Sequence, residues 1–184
     1  MDIEQIASLQ RGQKLPLQRD VEAIAIPFGK TDTLAEDSIV SVMQAKGSSV
    51  SVGFEGRLYL IEGRNLDALG LESLPRPTLP ESATDEEIEQ FVWDQLRTCF
   101  DPEIPVNIID LGLVYDIQVN DEGGIYVQMT LTFPGCGMGP FIAQQAEWAV
   151  QDLDGAGEIE IEMVFEPPWT PELISEEARS QLGI

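Results

Sequence analysis

The chain has 184 residues, 43% hydrophobic and 23% charged, with Lys+Arg 10 against Asp+Glu 33, a net charge of −23 and no histidine. That length holds one sizeable domain or two small ones, and that charge disfavours phosphate backbones and anionic lipid surfaces as partners. Without histidine there is no Ser-His or Cys-His dyad and no imidazole ligand, and with Lys46 as the last lysine the second half has no phosphate-loop or Schiff-base lysine.

The charge is unevenly spread. Residues 1–80 hold 8 basic and 11 acidic residues, whereas residues 81–184 hold only Arg97 and Arg179 against 22 acidic ones. Solubility is the plainest role for that acid. Cys99 and Cys136 stand far apart with no C-x-x-C between them, so neither a zinc ribbon nor a thioredoxin motif is present. Isolated cysteines point to a reducing compartment. The start, Met1-Asp2-Ile3-Glu4, lacks the basic-then-apolar order of a signal peptide, and no run approaches a membrane span. The expectation is a soluble, cytoplasmic protein.

Residues 1–19 carry a weak apolar stripe (Ile3, Ile6, Ala7, Leu9), a short helix or an arm. From Val21 to Ile61 the pattern turns β-like, with strands at Val21–Ile26, Ile39–Ala45, Ser48–Phe54 and Arg57–Ile61. Strands at this spacing predict a small barrel-like domain over residues 1–74, with a structural or docking role. Leu74-Pro75-Arg76-Pro77-Thr78-Leu79-Pro80 favours extended backbone, and residues 75–83 read as a linker.

Residues 84–184 form the second expected domain. Thr84 and Glu87 fit a capping box, and Ile88, Phe91, Val92, Leu96 and Cys99 follow at helical spacing. Cys99 therefore reads as a buried small hydrophobe. Asp101-Pro102-Glu103-Ile104-Pro105 stops that helix and holds two carboxylates in a stiff loop. Asp101 could equally satisfy backbone amides in a turn. Leu113, Tyr115, Ile117 and Val119 predict the inner face of a strand. Asn120 to Gly124 is a hairpin loop, and Ile125, Val127, Met129, Leu131 and Phe133 form the inner face of the return strand. Then comes Pro134-Gly135-Cys136-Gly137-Met138-Gly139-Pro140, a turn that sets a thiol at the start of the next helix, where the helix dipole favours thiolate. The alternative is a structural turn in which Cys136 merely packs. A strand with Glu158, Glu160 and Glu162 on one face follows, then a last helix with Thr170 as cap, running to about Gln181. The order α-β-β-α-β-α describes an α+β domain, a mixed sheet with helices packed on it, preceded by the β-rich domain.

The stretch Asp101-Pro102-Glu103-Ile104-Pro105 through Asp110-Leu111-Gly112-Leu113-Val114-Tyr115, with Thr130-Leu131-Thr132 and Cys136, resembles the metal–sulfur (iron–sulfur) cluster assembly domain family. Pro167-Pro168-Trp169, Glu176-Glu177-Ala178-Arg179 and the β-rich segment with Asn65-Leu66-Asp67 are similar to its SufT type. The resemblance implies a maturation factor, not an enzyme, that helps deliver clusters to apo-proteins in the cytoplasm. It also implies scaffold and carrier proteins as partners. Asp101, Glu103, Thr132 and Cys136 match the family's signature, with Cys136 the cluster or client contact and the metal ligand. Many members have a second threonine at Phe133 and proline at Gly137. A cluster normally takes a full set of thiolates, and one exposed cysteine calls for a transient cluster completed by a homodimer, by a client's cysteines or by carboxylates such as Asp101 or Glu103. The competing readings are a cluster-free adaptor that docks clients, and a thiol enzyme with a carboxylate base.

Overall fold

In the first unit, alternating valines and isoleucines give the central strands one largely apolar face. The computed structural model describes residues 4–101, 104–151, 153 and 155–184, and the chain divides into two units, Met1–Arg76 and Pro77–Ile184. The first begins with a short helix, α1 (Glu4–Ala7). Six antiparallel strands follow: β1 (Lys14–Pro16), β2 (Val21–Ile26), β3 (Lys30–Leu34), β4 (Ile39–Lys46), β5 (Ser49–Phe54) and β6 (Arg57–Glu62). Their order is β1-β4-β5-β6-β2-β3. The ladder ends at β1 on one side and β3 on the other, and no pairing between those two is found among the described residues.

Four of these strands coincide with the runs visible in the sequence. The other two, β1 and β3, are short edge strands: Lys14-Leu15-Pro16 and Lys30-Thr31-Asp32-Thr33-Leu34 have too few apolar residues to show a period. Lysine and proline suit an edge, where one side of the backbone stays unpaired. Phe54 pairs with Arg57 across the two-residue turn Glu55-Gly56. The core gathers Val21, Ala23, Val40, Val42, Val50, Val52, Tyr59, Ile61 and Leu66, with Ile6 and Leu17 closing it. A 3₁₀ segment, Gly63–Leu69, completes the unit, and Leu74 is held there by its N–H donating to the Gly63 carbonyl at 2.8 Å.

The second unit is mixed α+β. It contains α2 (Asp85–Leu96), β7 (Val114–Val119), β8 (Ile125–Met129), α3 (Gly139–Gln151), β9 (Ile159–Met163) and α4 (Glu176–Leu182). The sheet order is β7-β8-β9, with β7–β8 antiparallel and β8–β9 parallel across α3. Thr84 caps α2 as expected: its Oγ1 accepts from the Glu87 N–H at 3.3 Å, and Glu87 Oε2 accepts from the Thr84 N–H at 2.8 Å. The helix ends at Leu96, short of Cys99, which is nevertheless buried.

Three local expectations change. A bulge between Val114 and Asp116 interrupts the alternation of β7, so Leu113 and Val114 are both buried and Tyr115 is half-exposed. On the return strand Ile125, Val127, Met129 and Leu131 are buried, but Phe133 is 57% exposed, because β8 stops at Met129 and the chain has already turned. Thr170 makes no side-chain cap. Pro171–Leu173 is a 3₁₀ turn, and Ser175 caps α4 instead, its Oγ accepting from the Ala178 N–H at 3.2 Å.

Candidate functional site

The loop between β8 and α3 is built from two consecutive turns. The Cys136 N–H donates to the Phe133 carbonyl at 3.3 Å, closing Phe133-Pro134-Gly135-Cys136. Proline in second place and Gly135 at φ +86° in third place make this a type II turn. The Gly139 N–H then donates to the Cys136 carbonyl at 3.0 Å, and the Ile142 N–H to the Met138 carbonyl at 3.0 Å, which begins the helical ladder. Cys136 is thus a free, half-buried thiol at the corner of a tight turn, three residues before α3 begins at Gly139. A Cβ added at Gly135 or Gly137 would meet nothing within 4 Å, so the loop backbone on either side of the thiol faces open space.

Thr132 is half-buried and precedes this turn directly; Thr130, two residues earlier, is 1% exposed and its Oγ1 has no hydrogen-bond partner among the described residues. Gln145 on α3 is 4% exposed and its Oε1 also lacks one. An orphan of this kind costs about 1–3 kcal/mol, and these two sit on the residue that opens the cysteine loop and on the helix that follows it. Periodicity does not reveal Gln145. It stands one residue before Ala146 on the apolar stripe and looks like any polar border position. Its carbonyl accepts from the buried Cys99 thiol at 3.7 Å, which gives Cys99 a structural place in the core.

The acidic loop is tied to the same sheet by backbone hydrogen bonds. Phe100 bridges Asn107, the Ile108 N–H donates to the Cys99 carbonyl at 3.0 Å, the Leu113 N–H to the Ile108 carbonyl at 3.0 Å, and the Thr130 N–H to the Leu113 carbonyl at 2.7 Å. A continuous ladder therefore runs from the segment carrying Asp101 to the segment carrying Thr130 and Thr132. Asp101 is 8% exposed. Glu103, its expected partner, lies outside the described residues. Asn107 shapes the following turn: its Oδ1 accepts from the N–H groups of Ile109 (3.0 Å) and Asp110 (2.9 Å), and its Nδ2 donates to Asp110 Oδ2 at 2.6 Å.

The C-terminal segment braces this turn through polar bonds to its backbone. Trp169 Nε1 donates to the Leu111 carbonyl at 2.9 Å, the Ser175 N–H to the Asp110 carbonyl at 2.9 Å, and Gln181 Nε2 to the Pro105 carbonyl at 3.1 Å. This explains the aromatic turn at Pro167-Pro168-Trp169, whose role the local pattern leaves open. On the other side of the unit, the Tyr126 hydroxyl donates to Glu162. That bond holds the Glu162 carboxyl below its ordinary range and raises the Tyr126 phenol. Glu162 of β9 thus has a surface-bonding role. Among the described residues no three His, Cys, Asp or Glu side chains gather as a metal site.

The model of a family described as "Iron-sulfur cluster assembly protein" matches residues 89–162, from within α2 to the end of β9. An Fe-S protein maturation auxiliary factor of Porphyromonas gingivalis is 42% identical over 95 residues, covering 52% of this chain and 90% of that protein. The Fe-S protein maturation auxiliary factor SufT of Staphylococcus aureus is 42% identical over 84 residues, covering 46% of this chain and 96% of that protein. The crystal structure of a domain of unknown function from Bacillus anthracis superposes with a TM-score of 0.50 at 34% identity, over 54% of this chain and 95% of that one. With nearly the whole length of such relatives matched, the chain belongs to the iron–sulfur cluster assembly protein family.

Proposed function

We propose that this protein is a maturation factor that helps deliver iron–sulfur clusters to apo-proteins, with Cys136 contacting the cluster or the client. One observation carries this reading: a free thiol stands half-exposed at the corner of a type II turn, flanked by open backbone, in a unit that reproduces relatives named as Fe-S protein maturation factors. Thiolate is the natural ligand for iron in such cargo, and the loop presents it without burying it. Asp101, Glu103 and Thr132 are the further contacts on this reading, and the ladder between the segments of Asp101 and Thr132 supports assigning them to one end of the unit. The cluster is cargo held transiently, because one thiol needs a client's cysteines, a carrier or a second copy to complete its ligands. Scaffold and carrier proteins and apo iron–sulfur proteins are therefore the partners.

No helix among the described residues is long and apolar enough to cross a membrane, and in line with the family resemblance we place the protein in the cytoplasm. We read it as a non-enzymatic factor, with residues 1–74 a barrel-like docking domain, residues 75–83 a linker and residues 84–184 the α-β-β-α-β-α assembly domain. Anaerobic reconstitution of wild type and Cys136→Ala tests the reading: iron and sulfide retention should fall in the variant, and equal retention removes Cys136 as a ligand. A second reading is a cluster-free adaptor that docks clients. It requires that Cys136→Ala mature a test enzyme normally while deletion of residues 1–74 abolishes maturation; the opposite pattern rejects it.

A further inference from the structure

We propose that the end of the first unit carrying the β2–β3 and β5–β6 turns is a docking site for an extended segment of a partner polypeptide, one with a carboxylate beside a bulky apolar side chain. A cavity of about 390 Å³ opens there, between the turns that join β2 to β3 and β5 to β6. Ala25 pairs with Lys30 on one side and with Tyr59 on the other, and Arg57 lies two residues from Tyr59. This register sets Ala25, Lys30, Asp32 and Arg57 on the same face of the sheet at its open end. Phe28, at the tip of the first turn, is 75% exposed, and Leu58 is 38% exposed. The cavity is thus an apolar cleft with a cationic rim.

Charge defines what fits. Lys30 contacts Asp32 at 3.5 Å, but Arg57 has no ion pair or side-chain hydrogen bond among the described residues. The rim therefore keeps an uncompensated guanidinium, the group best suited to a carboxylate. The adjoining strand settles the form of the occupant. β3 is the last strand of the ladder, with β2 as its one partner among the described residues. An unpaired edge beside a cleft is the arrangement that accepts an added strand: backbone bonds run along the edge while alternate side chains reach the pocket. A small amphiphile would use the cleft and leave the edge unused.

The test is fluorescence anisotropy with the full chain and an end-blocked, fluorescein-labelled peptide of alternating valine and glutamate, roughly six residues long, the length of a short strand. Saturable binding is expected, with ~tenfold or greater weakening in Arg57→Glu and for a peptide with lysine in place of glutamate. Amide exchange across residues 30–34 should slow on binding. Phe28→Ser, at a side chain outside the core, is expected to weaken binding as well and covers the case in which Arg57→Glu fails to fold. Cys136→Ala should bind the peptide as wild type does, which separates this site from the cluster-handling loop. Absent binding, equal binding of the lysine peptide, or unchanged affinity in both Arg57→Glu and Phe28→Ser overturns the proposal. So does decanoate occupying the cleft where the peptide does not.

Discussion

The two units solve the problem of stability differently. The first relies on its sheet: six antiparallel strands bury a run of valines and isoleucines, and side chains such as Gln5, Arg19 and Asp20 tie its connections. The second has three strands among the described residues and uses polar side chains to hold the backbone of its irregular loops. Asn107, Asn120, Tyr115, Trp169 and Gln181 all bond to backbone there. The difference teaches where chemistry can be placed. A sheet ladder tolerates little irregularity, whereas loops pinned by side chains can hold a thiol, a buried carboxylate and an unpaired threonine in fixed but non-repeating positions. The first unit correspondingly keeps only an edge and a cleft for contact.

Substitutions can break this contrast. The largest effect is expected for Cys136→Ala: iron retained after anaerobic reconstitution should fall ~tenfold or more, while the melting curve stays that of wild type. A large loss of stability would instead make the thiol part of the scaffold. Gly112→Ala comes next. Gly112 has φ +69°, and an added Cβ would stand 2.5 Å from the Leu173 carbonyl oxygen. A loss of about 2–4 kcal/mol is expected in denaturant unfolding, with hydrogen exchange accelerated in the second unit alone. Acceleration in both units would mean that they unfold as one.

Smaller effects sharpen the comparison. Thr84→Ala removes the capping box of α2 and should cost about 1 kcal/mol, read from the shift in unfolding midpoint. In the first unit, Arg19 grips Asp67 in bidentate fashion, with Nε to Oδ2 at 2.6 Å and Nη2 to Oδ1 at 2.7 Å. That contact is the main cause that lowers the Asp67 carboxyl to about 2, against an ordinary value near ~4. A depressed carboxyl stabilises the fold above its unfolded pKa, and this contribution fades as pH falls from about 4 through about 2. Both side chains are exposed by more than two-fifths, so Asp67→Asn should cost no more than about 0.5–1 kcal/mol at neutral pH. The difference from wild type should vanish at the acid end. A difference that persists undiminished below pH about 2 would assign the effect to something other than the ion pair.

Much of the fold was legible in the residues. Apolar alternation marks β2, β4, β5 and β6, and Thr84 with Glu87 marks the start of α2, because these signals are local. The exposed Phe133 was not legible. Its place in the alternation Ile125-Val127-Met129-Leu131-Phe133 says inner face, but pairing of β8 stops at Met129 and the type II turn carries the ring outward. Likewise Thr170-Pro171 has the composition of a helix start, yet Ser175 caps α4 after a 3₁₀ turn. Within the site, Cys136 and its turn followed from Pro134-Gly135, which dictate backbone angles by themselves. The burial of Thr130 and Gln145 did not, since it depends on what covers them.

The sequence by itself determined the family, the turn that carries the thiol, the chemical groups excluded by the lack of histidine and the division of charge along the chain. These are properties of residue identity and short-range backbone preference. Only the tertiary structure decided which polar groups are orphaned, that β3 is a free edge and that Arg57 is left without an ion pair at a cleft, all among the described residues, and that Trp169 and Gln181 brace the acidic turn. Each of these depends on residues far apart in the chain meeting or failing to meet, and no local pattern encodes the partner.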